Sequence, residues 1–274
     1  MQEKLSDRNL VIVRGGGDLA TGTIIKLYNS GFKVLVLDIE KPSAIRRNVS
    51  FCEAMYTGQQ TVEGITCHKA ESVEDAERLL AEGKLCILAD SEGNAIHELK
   101  PVCVIDAIIA KKNLGTRIDM APVVIGLGPG FTAGEDVHAV IETMRGHNLG
   151  RIIYSGCAVP NTGIPGKIAG FDKERVIHSP ADGIMKNIKN ITDTVKKGDV
   201  IAKVGDVPVI ATLDGILRGL IRDGYPVTKG FKIADIDPRK EQIDNCFTVS
   251  DKARCIAGGA LEALMHLMKE NGLW

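Results

Sequence analysis

The stretch Leu10-Val-Ile-Val13-Arg-Gly15-Gly-Gly17-Asp-Leu-Ala20 decides the fold. A short β-branched run, a glycine turn and the start of a helix follow one another without a spacer. The turn fits the pattern G-x-G-x-x-G/A. Gly15 makes the tight turn, Gly17 lets backbone N–H groups reach a phosphate, and Ala20 lets the helix sit close to the sheet, with Gly16 between them a further cofactor-binding candidate. Asp18 opens the helix, whose N-terminus faces an anion. Leu19–Asn29 reads as that helix and Lys33–Leu37 as a second strand ending at Asp38, 21 residues past Gly17. An acid at this spacing is placed to bond a ribose hydroxyl. A tight turn with nothing bound is the plainer reading of the same residues. Arg46 and Arg47 follow, where they would favour a 2′-phosphate or simply face water.

Working outward, strand-like and helical runs alternate over the first 155 or so residues, as in a parallel α/β layer. Ile65–Lys69 reads as a strand. Ser72-Val-Glu-Asp75 has capping-box form and starts a helix through Leu80 that Gly83 stops. Leu85–Ala89, Val102–Ile105 and Val123–Ile125 read as strands, Glu135–Met144 as a helix and Arg151–Tyr154 as the last strand. The expected fold class is α/β with a Rossmann-like parallel sheet over residues 1–156.

The texture changes across Ser155–Gly170, where Cys157-Ala-Val-Pro-Asn-Thr-Gly-Ile-Pro-Gly166 reads as a linker or ordered loop. Beyond it lies an internal repeat. Residues 182–204 match residues 214–236 at eight of 23 positions, at one offset of 32 with no gap. Each unit is too short to bury its own apolar face, so the halves must interlock as a small all-β domain spanning residues 157–240. Residues 241–274 hold a C-terminal helix, Asp251–Lys269, with Ser250 as N-cap and an apolar face that packs back on the first domain. Gly258-Gly259 inside this helix implies either close approach to another backbone or a break.

Other candidates carry weaker signals. Gly126-Leu-Gly128-Pro-Gly130 follows a strand and is either a second anion cradle or a structural turn. Asp106 ends a strand where ribose contacts gather, ahead of Lys111-Lys112, or is an ordinary solvated helix start. His138 and Glu142 stand four apart on the expected helix, a spacing open to a metal but more commonly a surface pair. Glu142 and Arg145 are spaced to pair. Arg145 and His147 are the candidates for anion binding or proton transfer. Cys157 is the thiol to test for reactivity. No metal ligand set is assigned.

Composition narrows the classes. Thirty-four basic against 35 acidic residues give a net charge of −1 with no basic stripe, which argues against nucleic-acid binding. Aromatics are only 4%, while 30 glycines make about 11% against a usual ~7%. The N-terminus lacks the apolar core of a signal peptide and no run is long enough to span a bilayer. Seven scattered cysteines form no Cys-x-x-Cys pair, so the expected compartment is the reducing cytoplasm.

The repeat resembles the lipoyl/biotinyl barrel-sandwich hybrid, although the hairpin Gly205-Asp-Val-Pro-Val209 has no lysine at its tip for a swinging arm. The chain as a whole resembles the YqeB-type accessory proteins of selenium-dependent molybdenum hydroxylases. The blocks that carry this are Val13–Gly22, Ile39–Arg47, Asp106–Asn113, Met120–Phe131, Glu142–Arg151 and Ser250–Arg254. The resemblance implies a maturation role that helps equip such an enzyme with its molybdopterin–selenium centre. Relatives of the xanthine dehydrogenase maturation type pair a Rossmann domain with cofactor handling. The expected cofactor is NAD(P) or a molybdopterin dinucleotide, which share pyrophosphate and ribose. Expected partners are the hydroxylase apo-enzyme or other maturation proteins, with no nucleic acid and no membrane, and a homo-oligomer stays open. The alternatives are an NAD-dependent oxidoreductase and a non-catalytic scaffold that docks an enzyme through its barrel.

Overall fold

The computed structural model describes residues 9–161, 163 and 169–273. The rest of the expected linker, up to Gly166, lies outside the described residues. The chain forms two compact units. The first comprises Met1–Pro42, Ser50–Asn161 and Val249–Trp274, the second Ser43–Val49 and Thr162–Thr248. Three stretches therefore differ from a reading in sequence order. Residues 43–49 join the second unit, residues 157–161 stay with the first, and residues 241–248 belong with the repeat.

The first unit is built on nine strands: β1 (Leu10–Arg14), β2 (Lys33–Asp38), β3 (Gln59–Val62), β4 (Ile65–Ala70), β5 (Leu85–Ala89), β6 (Cys103–Asp106), β7 (Val123–Leu127), β9 (Ala139–Ile141) and β10 (Ile152–Ile153). Their spatial order is β10-β9-β7-β6-β1-β2-β5-β4-β3. Every neighbour pair from β4 to β9 is parallel, and an antiparallel strand closes each edge. Strands buried on both faces must be continuously apolar, and Val11, Ile12 and Val13 are 0% exposed. A two-stranded ribbon pairs β8 (Thr132–Ala133) with β11 (Gly156–Cys157). The helices are α1 (Asp18–Asn29), α2 (Ala54–Thr57), α3 (Val73–Ala81), α4 (Asn94–Leu99) and α5 (Asp251–Glu270). Ser72 caps α3 through Asp75 N and Ser250 caps α5 through Ala253 N. Among the described residues no helix is long and apolar enough to cross a membrane.

Three local expectations change. Glu135–Met144 is not a helix: Ala139–Ile141 is the strand β9, wholly buried beside β7. Burial on both faces favours Val140 and Ile141 in a sheet over the helical spacing of their polar neighbours. No helix follows Asp106; residues 107–116 form a loop in which Ile109 and Lys111 adopt positive φ. The glycine pair in α5 does not break it. Gly259 lies where an added Cβ would sit 2.1 Å from the Gly150 carbonyl oxygen.

The second unit contains β12 (Val176–His178), β13 (Gly183–Asn187), β14 (Thr194–Val195), β15 (Val200–Val204), β16 (Val207–Ile210), β17 (Gly215–Leu220), β18 (Pro226–Val227) and β19 (Lys232–Asp237). They make two four-stranded sheets, β12-β19-β17-β14 and β16-β15-β13-β18. The offset of 32 maps β13, β14 and β15 onto β17, β18 and β19. Each repeat lends its short middle strand to the other: β14 pairs with β17, and β18 with β13. Their inward residues, Met185 and Leu217 among them, share one core.

Candidate functional site

Strand β1 has β2 on one side and β6 on the other, and the chain reverses its direction of travel across the sheet at this point. Ligands of parallel sheets gather outside the carboxyl ends of the strands at such a switch. The residues found there are Arg14, Asp38 and Asp106, the last of their strands, and the turn Gly15–Gly17.

The glycines of that turn do different things. Gly15 has φ +94° and donates its N–H to Leu37 O at 2.7 Å. A Cβ on it would lie 3.0 Å from Ala107 O and Ile108 N, so the chain after β6 runs hard against it. Gly16 makes room for Cys52, whose N–H donates to Gly16 O at 2.9 Å. Phe51 N donates to Thr21 Oγ1 at 3.0 Å, which fastens the buried segment Phe51–Glu53 to the first turn of α1. At Gly17, by contrast, nothing lies within 4 Å of where a Cβ would be. Gly17 is the N-cap of α1 and offers no capping side chain, Asp18 stands in its first turn, and Ala20 is buried.

Asp38 is engaged by the turn itself. Its Oδ2 accepts from Gly16 N at 2.7 Å and its Oδ1 from Ile39 N at 2.8 Å. Burial raises its pKa above 3.8, and the two N–H donors oppose that rise. A ribose reaching Asp38 must use the remaining lone pairs or displace Gly16. The site is also acidic: Asp38, Glu53 and Asp18 all push the buried Cys52 thiol further up, beyond the effect of burial. Because the folded pKa of Asp38 is raised, its contribution to stability is complete below pH 3.8 and is lost as pH rises through the folded value. Asp38→Asn does not titrate. Relative to the parent, the variant should therefore gain stability between about pH 4 and pH 7, read as urea midpoints at both. A difference independent of pH would mean that Asp38 ionises as in the unfolded chain.

Asp106 belongs to a buried network that sequence reading did not assemble. Its Oδ2 accepts from Thr116 Oγ1 at 2.6 Å and its Oδ1 from Ile108 N at 3.1 Å. Arg14, 3% exposed, donates to Thr116 Oγ1, to Ser91 O and to Leu114 O, and its Nη1 stands 3.7 Å from Asp106. The network ties down the loop that follows β6. A charged residue ending an otherwise apolar run was the signal for Arg14.

The second glycine turn is filled by protein. A Cβ on Gly126 would strike the Phe131 ring at 2.5 Å, on Gly128 the Thr143 hydroxyl at 2.7 Å, and on Gly130 the Lys112 backbone at 2.7 Å. With β9 in place of a helix, the helical spacings of His138, Glu142 and Arg145 have no meaning. Val124 N donates to His138 Nδ1 at 3.0 Å, and burial holds this imidazole below its usual 6.5. Glu142, buried, accepts from Met144 N and Val159 N and pins two loops. Arg145 makes two bonds to the first residue of α5, Asp251, at 2.8 and 3.0 Å. His147 lines a shallow cleft with Arg151, Tyr154 and Glu262. Cys157 is exposed, 3.4 Å from the Thr132 hydroxyl. Among the described residues no three His, Cys, Asp or Glu side chains are grouped to hold a metal ion.

No protein-family model matches the chain. It is 55% identical over 266 residues to the uncharacterized protein YqeB of Escherichia coli (strain K12). That alignment takes in 97% of this chain and 49% of the other, so the chain spans about half the length of the curated relative it matches. Among solved structures, TcdA (CsdL) aligns with TM-score 0.31 and 10% identity over 99% of this chain and 91% of that one. An aspartoacylase family protein from Mesorhizobium loti aligns with TM-score 0.25 and 12% identity over 84% of each. The ectoine utilization protein EutE (DoeB) from Ruegeria pomeroyi aligns with TM-score 0.23 and 11% identity over 82% of this chain and 56% of that one. Overlaps this slight say nothing of chemistry here.

Proposed function

We propose that the chain is an accessory factor that binds a dinucleotide-type cofactor, NAD(P) or a molybdopterin dinucleotide, at Gly15–Gly17. In this reading it helps mature a selenium-dependent molybdenum hydroxylase. The first unit is a Rossmann-like domain and the second a barrel-sandwich hybrid. The observation that carries the reading is the open space at Gly17, at the switch point and on the N-terminus of α1, while Gly15 and Gly16 are packed against protein. The residue types of this turn suit close approach of a phosphate to backbone N–H groups. Asp38, already holding Gly16, is positioned to exchange that bond for a ribose hydroxyl. A holding role suits the site better than catalysis, because Arg145 is committed to Asp251 and Asp106 to Thr116.

Mass spectrometry of small molecules released from gently purified protein, with molybdenum and selenium assayed alongside, tests this directly. A pterin dinucleotide supports the maturation role. NAD with turnover of a reduced substrate would point to an oxidoreductase. No ligand, together with no calorimetric affinity for NAD, NADP or a molybdopterin dinucleotide, would sink the proposal. At residue level, Gly17→Val should abolish dinucleotide binding and leave the unfolding temperature close to that of the parent, because the side chain enters open space and φ is −67°.

A further inference from the structure

The pseudo-symmetry of the second unit allows its two sheets to be compared residue by residue. The offset of 32 pairs Ile184 with Ile216, Lys186 with Arg218, Ile188 with Leu220, and Lys203 with Asp235. In the second repeat these positions are covered. Ile216 and Leu220 are 1% and 0% exposed. Leu220 N donates to Ile45 O at 2.8 Å, and Gly219 faces Ile45 O and the Arg46 stem, so the segment Ser43–Val49 lies across β17. Arg218 has carboxylates at hand, Asp235 and Asp237, each 3.3 Å away.

The same face of the first repeat is bare. Ile184 is 54% exposed and Ile188 50%. Val200 and Ile210, opposite each other on β15 and β16, add to the apolar surface. Between them Lys186 and Lys203 face each other in register across β13 and β15. Both are exposed, and neither has an acidic partner among the described residues. Like charges directly opposite on a sheet are unfavourable, and exposed aliphatic residues gathered on one face mark an interaction surface.

We infer that this face docks an extended segment of a partner protein whose sheet-facing side chains, at every second position, alternate between aliphatic and carboxylate. The aliphatic groups cover Ile184, Ile188 and Ile210. A carboxylate reaches the Lys186–Lys203 pair, supplying from outside what Asp235 supplies to Arg218 within the chain. The face belongs to β13, β15 and β16, with β13 interior to its sheet, so the segment lies on the sheet rather than extending an edge. This surface is independent of what the glycine turn binds.

The test uses the full chain and a fluorescein-labelled nonapeptide with valine at its first, fifth and ninth positions, glutamate at its third and seventh and serine between, so that valine and glutamate share one face, with a second peptide carrying lysine for glutamate. The acidic peptide should bind and the basic one should not. Lys186→Glu/Lys203→Glu should weaken binding by about tenfold or more, as for charge pairs that set specificity. Both substitutions fall on exposed side chains, so unchanged circular dichroism is expected. Ile188→Asp should also abolish binding. Isoleucine-methyl NMR should show shifts at Ile184, Ile188 and Ile210 but not at the buried Ile216 and Ile233. Failure of the acidic peptide to bind, equal binding of both peptides, or shifts elsewhere would overturn the inference. So would self-association that Ile188→Asp removes, which would assign the face to a second copy of the chain.

Discussion

Arg14→Met is expected to destabilise the first unit by about 3–5 kcal/mol, the range for removing one member of a buried ion pair. The two side chains are 4% and 2% exposed, with Arg14 Nη1 3.7 Å from Asp106 Oδ2. Methionine fills similar space but offers no donor, so Thr116, Ser91 and Leu114 lose their common anchor as well. Asp106 would keep its bonds from Thr116 and Ile108 while losing the cation. Burial already raises its folded pKa above 3.8, opposed by those two bonds and by Arg14. The stability tied to such a group is full below pH 3.8 and is lost as pH rises through the folded value. Removing Arg14 lifts that value further. The deficit should therefore be larger at pH 7 than near pH 4. Adding Asp106→Asn should recover part of it, since touching residues couple by about 0.5–3 kcal/mol. Urea unfolding of the four proteins at both pH values decides this. A deficit under about 1 kcal/mol, or one that persists unchanged in acid, would place Arg14 among ordinary surface residues.

The parts of the fold that could be read from the chain are those whose residues depend on near neighbours. Leu10–Val13 and Lys33–Leu37 are apolar on both faces, and the glycine turn between β1 and α1 has one local geometry. Ser72 and Ser250 bond N–H groups three residues away. The repeat was legible because its two copies can be compared without knowing what either touches. What escaped was non-local. Ala139–Ile141 becomes a strand because β7 lies beside it, and the helical spacing of Glu135–Met144 carries no trace of that. Arg14, Thr116 and Ser91 are far apart in sequence and meet only once the strand order is known. The candidate site divides the same way. Gly15–Gly17 and Asp38 do meet, but as partners of each other. The glycines of the second turn are explained by Phe131, Thr143 and Lys112, contacts no motif specifies.

The two adjacent glycines of α5 should respond to alanine with opposite signs. At Gly258 nothing lies within 4 Å of an added Cβ, so alanine should stabilise the helix by about 0.8–1 kcal/mol, the difference in helix propensity. At Gly259 the same methyl would sit 2.1 Å from Gly150 O and 3.2 Å from Ile141 Cγ2. Gly150 cannot simply retreat. Its N–H donates to Glu142 O at 2.8 Å, its φ is +77°, and its own missing Cβ leaves room for Cys255 O. Glu142 is in turn held by Met144 N and Val159 N. The loop and the helix thus approach each other through reciprocal glycines, and α1 meets α5 through a glycine on one side only, where Gly22 faces Ala253. Overpacking of this kind costs typically about 1–3 kcal/mol, more than the propensity gain. Gly259→Ala should lower the unfolding midpoint, and Gly259→Val should lower it further. Gly258→Ala should raise it. If Gly259→Ala also raised it, the close approach of α5 to Gly150 would be wrong, and with it the packing of this helix against β9.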